Sequence, residues 1–213
     1  VAVLEPFPRL RSDLDAVMAA GTMVEAADAV AQEEESSIRL FLLLQRGLKA
    51  LEAGERGQDL ITSFLLKLAD VITPNETEFA ALLGRHVGER VDANDVAALD
   101  GASLHALCRK LVGNGTVVVT LGSVGVFVSH ADENLRGDTQ PYYRVGAEQV
   151  QAIDTTGAGD AFNGALAASL AQVADAPFAR HVRFANQFAG RSTEKEGAAA
   201  AMPRFTPADA EAK

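Results

Sequence analysis

The chain has 213 residues, of which 48% are hydrophobic and 23% are charged, so its composition excludes a disordered chain and allows one large domain with its own core. Its formal net charge of −10 argues against a broad electrostatic attraction to nucleic acid or to an anionic membrane. A phosphate ligand would therefore have to be held by local amide groups and cations. The single cysteine, Cys108, excludes an internal disulfide and agrees with a reducing cytoplasm, and we expect it to be a buried helix residue.

The first third of the chain shows helical spacing of its apolar residues and no group of residues that suggests chemistry. Residues 12–70 predict helices, with Gly54 and Gly57 as breaks, and contain no internal repeat. The longest apolar run in this part, residues 40–44, is far shorter than the ~20 residues that span a membrane. Because the chain begins with valine and its first residues do not resemble a leader, we expect it to be a fragment whose true start is missing.

From Leu68 onward the pattern changes to alternating strands and helices. The β-branched run Thr116–Thr120 has no polar alternation and predicts a strand buried on both faces. The alternation favours an α/β domain with a mainly parallel sheet, in which ligands bind at the carboxyl ends of the strands. The predicted elements are a strand at Val71–Ile72, a helix over 77–83 ended by Gly84, a helix over 103–112, strands over Thr116–Thr120 and 126–128, an antiparallel partner over 142–145, a helix that follows Asp154 and runs to about 173, and a helix over 178–189.

The most informative segment, residues 154–164, is a Gly-rich turn that runs into a predicted helix. The backbone N–H groups at such a helix start point at one spot and, together with the helix dipole, favour an anion. Asp160 stands at this anion site, where a carboxylate is useful as a base that deprotonates an alcohol as it attacks a phosphoryl group. The alternative is purely structural: Gly157 and Gly159 build the turn and Asp160 caps the helix.

Two further turns follow predicted strands. Asn75 and Glu78 are three residues apart at a helix start, a spacing that favours a capping box. Alternatively, the amide and the carboxylate organise the water shell of a Mg²⁺ ion, which takes few direct protein ligands. The turn over residues 120–125 has small residues that let a flat or phosphorylated ligand approach the backbone, and a hairpin turn explains it equally well.

In this order and spacing, the three turns resemble the ribokinase-like family of carbohydrate kinases, also called the PfkB family. Residues 154–162 resemble its C-terminal signature, residues 73–78 its Asn-x-x-Glu metal motif, and residues 120–125 its nucleotide-binding turn. The resemblance covers about residues 68–207. It implies an α/β fold, a three-layer sandwich with a mainly parallel central sheet, in which the small β lid of the family is missing or not recognisable.

The resemblance implies ATP-dependent phosphorylation of a sugar hydroxyl, with ATP and a small sugar as partners. Asp160 would be the catalytic base and would contact the sugar, and the N–H groups of Gly157, Ala158 and Gly159 would form the anion hole. Asn75 would contact the nucleotide phosphates, and Glu78 would hold Mg²⁺. The nucleotide pocket implied by the resemblance comprises Asn75, Thr120, Leu121, Gly122, Ser123, Val124, Gly125, Gly159, Asp160 and Asn186.

The family also commonly uses a monovalent cation, K⁺, beside the anion hole. The matching positions here are Asp154, Thr156, Ser192, Lys195 and Gly197, several of them through backbone carbonyls. The family has one further position in this cation site, which corresponds here to Ala201. Alanine has no hydroxyl to offer, so the sequence departs from the family there. Asp154 also has a simpler interpretation as a turn-forming residue.

The N-terminal region departs from the family more strongly. Where the family holds its sugar, residues 12–70 contain no Gly-Gly pair and little β pattern. We therefore expect a single partial kinase domain over residues 1–213, with an atypical helical region at about 12–67. Alone, this polypeptide should bind nucleotide poorly and phosphorylate sugar slowly or not at all.

Three functions remain open after the sequence. D-Ribose, converted to ribose 5-phosphate, is the leading substrate that the resemblance implies. The second reading is another kinase of the family, acting on fructose, a ketodeoxy sugar acid or a nucleoside, and the third is a non-catalytic nucleotide-binding remnant. We also expect a cytoplasmic protein (or a nuclear one, in a eukaryote), no nucleic-acid or membrane partner, and a homodimer in the intact protein.

Overall fold

The computed structural model describes residues 7–31 and 37–204, and the chain divides into two compact units, Val1–Ala69 and Asp70–Lys213. The division falls within two residues of position 68, where the sequence pattern changes from helical to alternating. Within the two described ranges, no helix combines the length and the apolar character needed to cross a membrane.

The first unit is helical, as the spacing of its apolar residues predicts. Its helices are α1 Pro8–Ser12, α2 Leu14–Val30, α3 Ile38–Ala53 and α4 Gly57–Leu68. Met23, Leu51 and Phe64 lie in its core and are at most 3% exposed. Gly54 ends α3 because it adopts a left-handed φ of 94°, which a residue without a Cβ atom tolerates. Both glycines that the sequence marks as breaks therefore stand at helix boundaries.

The second unit alternates strands and helices. Its strands are β1 Val71–Ile72, β2 Thr116–Thr120, β3 Gly125–Ser129 and β4 Tyr142–Gly146. Its helices are α5 Glu76–His86, α6 Ala93–Val96, α7 Gly101–Leu111, α8 Ala158–Gln172, α9 Phe178–Ser192 and α10 Ala198–Ala201, with a 3₁₀ turn at Gly122–Val124. Cys108 is fully buried in α7, as predicted, and burial raises the pKa of its thiol to about 12, so this side chain is a core residue.

One predicted helix end is wrong. The helix expected over residues 77–83 does not stop at Gly84 but continues to His86. A glycine inside a helix costs stability without ending it. The left-handed residue that follows this helix is Gly88, with a φ of 77°, so the second glycine and not the first supplies the stop.

The four strands form one sheet in the order β1-β2-β3-β4. β1 is parallel to β2, whereas β2 pairs antiparallel with β3 and β3 pairs antiparallel with β4. The sequence pattern suggested a mainly parallel sheet, whereas two of the three strand pairs in the described sheet are antiparallel. The short turn between β2 and β3 reverses the chain, and a connection of that length permits only antiparallel pairing. The antiparallel partner predicted over residues 142–145 is confirmed as β4.

Helices cover both faces of this sheet. Val126 and Val128 of β3 share one core cluster with Phe162 of α8 and Val182 of α9. Phe127, between those two valines, faces the opposite side of the sheet, where α7 packs. The second unit thus has the helix–sheet–helix layers of the expected α/β sandwich, and its described residues form no second sheet that could serve as a lid.

Candidate functional site

The two turns that follow β1 and β2 lie side by side at one end of the sheet. Because these strands are parallel, their carboxyl ends meet there. Asn75 forms an isolated parallel bridge with Thr120, whose N–H donates to the carbonyl oxygen of Pro74 at 3.0 Å. Gly125, at the start of β3, pairs with Gly146, at the end of β4, so both residues lie at this same end.

Helices α8 and α9 bring the third segment to that end of the sheet. The side-chain amide of Asn186, in the second half of α9, donates to the carbonyl oxygen of Gly146 at 2.8 Å. Ser169 Oγ, late in α8, lies 2.8 Å from His181 Nδ1, early in α9, so the two helices run antiparallel. The start of α8 therefore lies on the same side as Asn186, which places all three predicted turns at the same end of the sheet.

The start of α8 is an uncapped helix N-terminus. Its N-cap residue is Gly157, with a left-handed φ of 81°, and no side chain caps the first turn. The N–H of Ala158 donates to the carbonyl oxygen of Thr155 at 3.2 Å, so one of the three expected anion-hole donors is engaged within the turn. The amides of Gly159 and Asp160 have no partner within the helix and are left for an anion.

Asp160 is the third residue of α8, and its carboxylate is exposed. The structural alternative, in which Asp160 caps this helix, is not observed, because the cap position is Gly157. An exposed carboxylate in the first turn of an uncapped helix lies beside amides that have no partner within the helix, which is the arrangement expected of a base beside an anion site.

Asp154 acts as a turn-forming residue. Its two carboxylate oxygens accept N–H groups from Thr156 and Gly197, each at 2.9 Å, and its own N–H donates to the carbonyl oxygen of Thr193 at 3.1 Å. The bond from Gly197, followed by those from Thr156, lowers the pKa of the Asp154 carboxyl below its usual value. Asp154 therefore ties the signature turn to the segment after α9, and three of the five expected cation residues meet.

The remaining expected cation positions lie at the end of α9 and on the segment that follows it. Ser192 is buried and its hydroxyl donates to the carbonyl oxygen of Ala189 at 2.7 Å, whereas Lys195 is exposed. Ala201 is buried and offers its N–H to the Gly197 carbonyl at 3.0 Å. Carboxylate and carbonyl oxygens are the donors that hard cations take, and each Asp154 oxygen keeps a lone pair after its amide bond, so the donor set fits a weakly held monovalent cation.

Asn75 and Glu78 form the capping box that their spacing favours. The Glu78 N–H donates to Asn75 Oδ1 and the Asn75 N–H donates to Glu78 Oε2, both at 2.9 Å. Both side chains are exposed, and the second carboxylate oxygen of Glu78 is not needed for the cap. Within the described ranges, no group of three or more acidic, histidine or cysteine residues is arranged to hold a metal. Mg²⁺ needs only one or two carboxylates plus substrate phosphates, so this pair still fits the ion.

The turn between β2 and β3 is the hairpin connection that the sequence left as an alternative. Gly122 has a φ of 51° and Gly125 a φ of 109°, and a Cβ atom on Gly125 would overlap the carbonyl oxygen of Val145. Leu121 is buried, whereas Ser123 and Val124 are exposed. No side chain caps the 3₁₀ turn, so the N–H groups of Gly122 and Ser123 are available to a ligand.

Two residues at this end of the sheet were missed in the sequence. The carbonyl oxygen of Thr193 accepts the N–H groups of both Ile153 and Asp154, and no sequence signal marks a backbone acceptor. Glu76 has a half-buried carboxylate whose Oε1 lies 3.9 Å from the position of a Cβ atom on Gly122. In the sequence Glu76 looks like any acidic residue in a first helical turn, which is why it was not singled out.

Comparison with known proteins defines the class of this chain. A profile described as pfkB family carbohydrate kinase matches residues 53–204, so the chain belongs to the PfkB family of carbohydrate kinases. A second profile, described as Recombination protein O C terminal, matches residues 11–72, which lie mainly in the first unit.

The relatives of this chain include ribokinases. It is 31% identical to the ribokinase of Haemophilus influenzae over 212 residues, covering 90% of this chain and 62% of that protein. The crystal structure of a ribokinase from Thermotoga maritima has 27% identity and a TM-score of 0.52, covering 70% of this chain and 43% of that one. A sugar kinase from Pyrococcus horikoshii in complex with ATP shares the fold at 24% identity and a TM-score of 0.52, covering 88% and 52%. The chain thus spans less than two thirds of the length of these relatives.

Proposed function

We propose that this chain carries the nucleotide-binding and catalytic part of an ATP-dependent sugar kinase, with D-ribose as the leading substrate and ribose 5-phosphate as the product. One observation carries the proposal: the uncapped start of α8, with Asp160 exposed in its first turn, lies at the same end of the sheet as the turns at Asn75 and Gly122. Phosphoryl transfer requires positioning and charge stabilisation more than covalent chemistry, and this arrangement supplies both.

Each group at this end of the sheet has a role in the proposal. The Asp160 carboxylate accepts the proton of the sugar hydroxyl while the hydroxyl oxygen attacks the γ-phosphorus of ATP. The bond between that phosphorus and the oxygen of the departing ADP breaks. The amides at the start of α8 stabilise the charge on the transferred group. Losing a general base lowers a rate on the order of 10²–10⁴-fold, and losing one such amide donor costs ~3 kcal/mol.

The proposal includes two cations. Mg²⁺, when bound, neutralises the negative charge of the phosphates, and Asn75 and Glu78 are the residues of this chain that would hold it together with the nucleotide. K⁺ would lie beside Asp154, Thr156 and Gly197, with Ser192 and Lys195 contributing backbone carbonyls. Substituting a large organic cation for K⁺ should lower activity, and equal activity in both would remove this cation from the proposal.

The choice of D-ribose rests on the relatives. The protein of Haemophilus influenzae that matches most of this chain is named a ribokinase, as is the structural relative from Thermotoga maritima. Fructose, a ketodeoxy sugar acid and a nucleoside are the alternative acceptors. A panel of these four acceptors, assayed by ADP release with the full-length gene product, tests the choice. If ADP release is fastest with one of the other acceptors, the proposal of D-ribose as the substrate is wrong.

A matched pair of variants tests whether the site is catalytic. Asp160→Asn should lower the rate of phosphorylation on the order of 10²–10⁴-fold, because the amide cannot accept the proton. Asp175→Asn, an identical change at an exposed position after α8, should leave it unchanged. Both variants are made in the full-length gene product. A rate that persists in Asp160→Asn would show that Asp160 is not the base, and absence of any phosphorylation in the unaltered full-length gene product would favour the non-catalytic nucleotide-binding remnant.

We also propose how active the isolated polypeptide is, where the protein is located and how it assembles. Residues 1–213 should bind nucleotide weakly and phosphorylate sugar slowly or not at all, since the helices of the first unit carry no recognisable sugar-binding motif. Rapid ribose-dependent ADP release from this polypeptide would contradict that expectation. We place the protein in the cytoplasm and expect the intact protein to form a homodimer, which sedimentation would test.

A further inference from the structure

Glu76 places a negative charge where the proposed nucleotide site needs a positive one. It is the first residue of α5, immediately after Asn75, and its carboxylate is half-buried against Gly122. Among the residues that the structure describes, this carboxylate has no hydrogen-bond or ion-pair partner. Both of its oxygens are therefore left for a ligand.

Its neighbour Glu78 is engaged differently. One oxygen of Glu78 accepts the N–H of Asn75, so that carboxylate is turned back onto the start of its own helix. Glu76 has no such bond and lies against the 3₁₀ turn instead. Of the two acidic residues in the first turn of α5, Glu76 is therefore the one whose carboxylate lies beside the nucleotide turn, with Oε1 3.9 Å from the position of a Cβ atom on Gly122.

The 3₁₀ turn attracts anions, whereas Glu76 repels them. The N–H groups of Gly122 and Ser123 are uncapped and would donate to a phosphate oxygen. A polyphosphate bound there would lie close to the Glu76 carboxylate, and like charges a few ångströms apart disfavour each other even at a protein surface. A divalent cation between them reverses the sign of that interaction, because carboxylate and phosphate oxygens are both ligands of Mg²⁺.

We propose that Glu76 makes nucleotide binding conditional on a divalent cation: its carboxylate rejects a bare polyphosphate at the Gly122 turn and accepts one that carries Mg²⁺. This inference rests on the proposed function, since it assigns to Glu76 the selection of the metal-bound form of the co-substrate. The role of Glu76 differs from the role expected for Glu78. Glu78 would hold the Mg²⁺ ion, whereas Glu76 would distinguish the metal-bound nucleotide from the metal-free one.

The test is a binding measurement that does not depend on activity. The dissociation constant of the non-hydrolysable ATP analogue AMP-PNP is measured by calorimetry in excess Mg²⁺ and again in excess EDTA, for the unaltered protein, Glu76→Gln and Glu133→Gln. Glu133 is exposed in the loop between β3 and β4, so Glu133→Gln makes the same change in charge away from the site.

We expect the unaltered protein and Glu133→Gln to bind AMP-PNP at least about tenfold more weakly in EDTA, and Glu76→Gln to bind the metal-free analogue about tenfold more tightly than they do. A ratio of the two dissociation constants that is the same in Glu76→Gln as in the unaltered protein would overturn the inference while leaving the nucleotide site intact. Failure of the unaltered protein to bind AMP-PNP in either condition would overturn the nucleotide site and the inference together. Glu76→Ala, which removes the charge with a smaller side chain, serves as the second variant if the glutamine variant does not fold.

Discussion

The start of α8 in the second unit differs from the starts of α2 and α3 in the first unit, and the two units also differ in where they leave large apolar side chains exposed. In the first unit, α2 and α3 begin at capping residues, Asp13 and Ser37, whose side chains accept N–H groups of the first turn. In the second unit, α8 begins at Gly157 with no side-chain cap. A side-chain cap satisfies one or two of the N–H groups at a helix start, and α8 lacks such a cap, as do α4 of the first unit and α9 of the second. What distinguishes α8 is that its start carries an exposed Asp160 and lies at the same end of the sheet as the Asn75 and Gly122 turns.

The exposed apolar side chains sharpen the contrast. The large ones of the first unit, such as Leu14 at 73% and Ile38 at 67%, are spread along its helices. In the described residues of the second unit, the exposed large apolar side chains are those of Val124 and Ile153, which both lie in or beside the predicted site turns. Among the described residues of the second unit, the large apolar side chains that are exposed are therefore confined to the neighbourhood of these turns.

The largest expected difference is between two glycine substitutions. Gly157→Ala should destabilise the second unit by about 1–2 kcal/mol, because Gly157 has a φ of 81° and a Cβ atom there would lie 3.0 Å from Cβ of Ala198. Gly21→Ala, in α2 of the first unit, should stabilise by about 0.5–1 kcal/mol, because the position is helical and open. Urea denaturation measures both, and destabilisation by Gly21→Ala would show that this helix face is covered.

A smaller difference is expected between two helix caps. Asn75→Ala and Asp13→Ala should each cost about 1 kcal/mol of stability, because each removes a side-chain acceptor at a helix start. Only Asn75→Ala should also weaken binding of Mg²⁺ and nucleotide. Thermal denaturation and nucleotide titration of the two variants measure these effects. Equal nucleotide affinity in both variants would mean that Asn75 is a cap and nothing more.

The smallest expected difference is in the response to mild acid. Burial lowers the pKa values of His105, His130 and His181, most of all through loss of hydration, although Asp138 partly opposes the shift at His130. Below about pH 6.5, the histidines of the unfolded chain therefore bind more protons than those of the folded chain. The stability of the fold is fully present above about pH 6.5 and decreases as the pH falls below that value. All three histidines lie in the second unit, and residues 1–69 contain none.

Tyrosine fluorescence is the appropriate measurement for this pH dependence. The chain has two tyrosines, Tyr142 and Tyr143, and no tryptophan, so the signal reports on β4 of the second unit alone. The urea midpoint followed by tyrosine fluorescence should fall between pH 7 and pH 5. A constant midpoint would mean that the three imidazoles are not kept neutral by the fold.

The sequence predicted those features that depend on local chemistry. The strand over Thr116–Thr120 and the capping box at Asn75 follow from residue type and spacing, and both are found in the structure. A mainly parallel sheet was expected because alternating strands and helices usually build one, whereas the hairpin between β2 and β3, which the sequence offered only as an alternative, makes that strand pair antiparallel. Glu76 was missed because its significance arises from contact with Gly122, which is 46 positions away in the chain and is brought close only by the parallel pairing of β1 and β2.

The most direct measurement of the central claim is the ¹⁵N chemical-shift perturbation of backbone amides on addition of Mg²⁺ and AMP-PNP to residues 1–213. We expect the largest shifts at the uncapped amides of Gly122, Ser123, Gly159 and Asp160, and no shift at the capped amides of the first unit, Asp15 and Ala16. This expectation would be contradicted if the amides at the start of α8 stayed unchanged at saturation, or if the shifts were confined to the first unit.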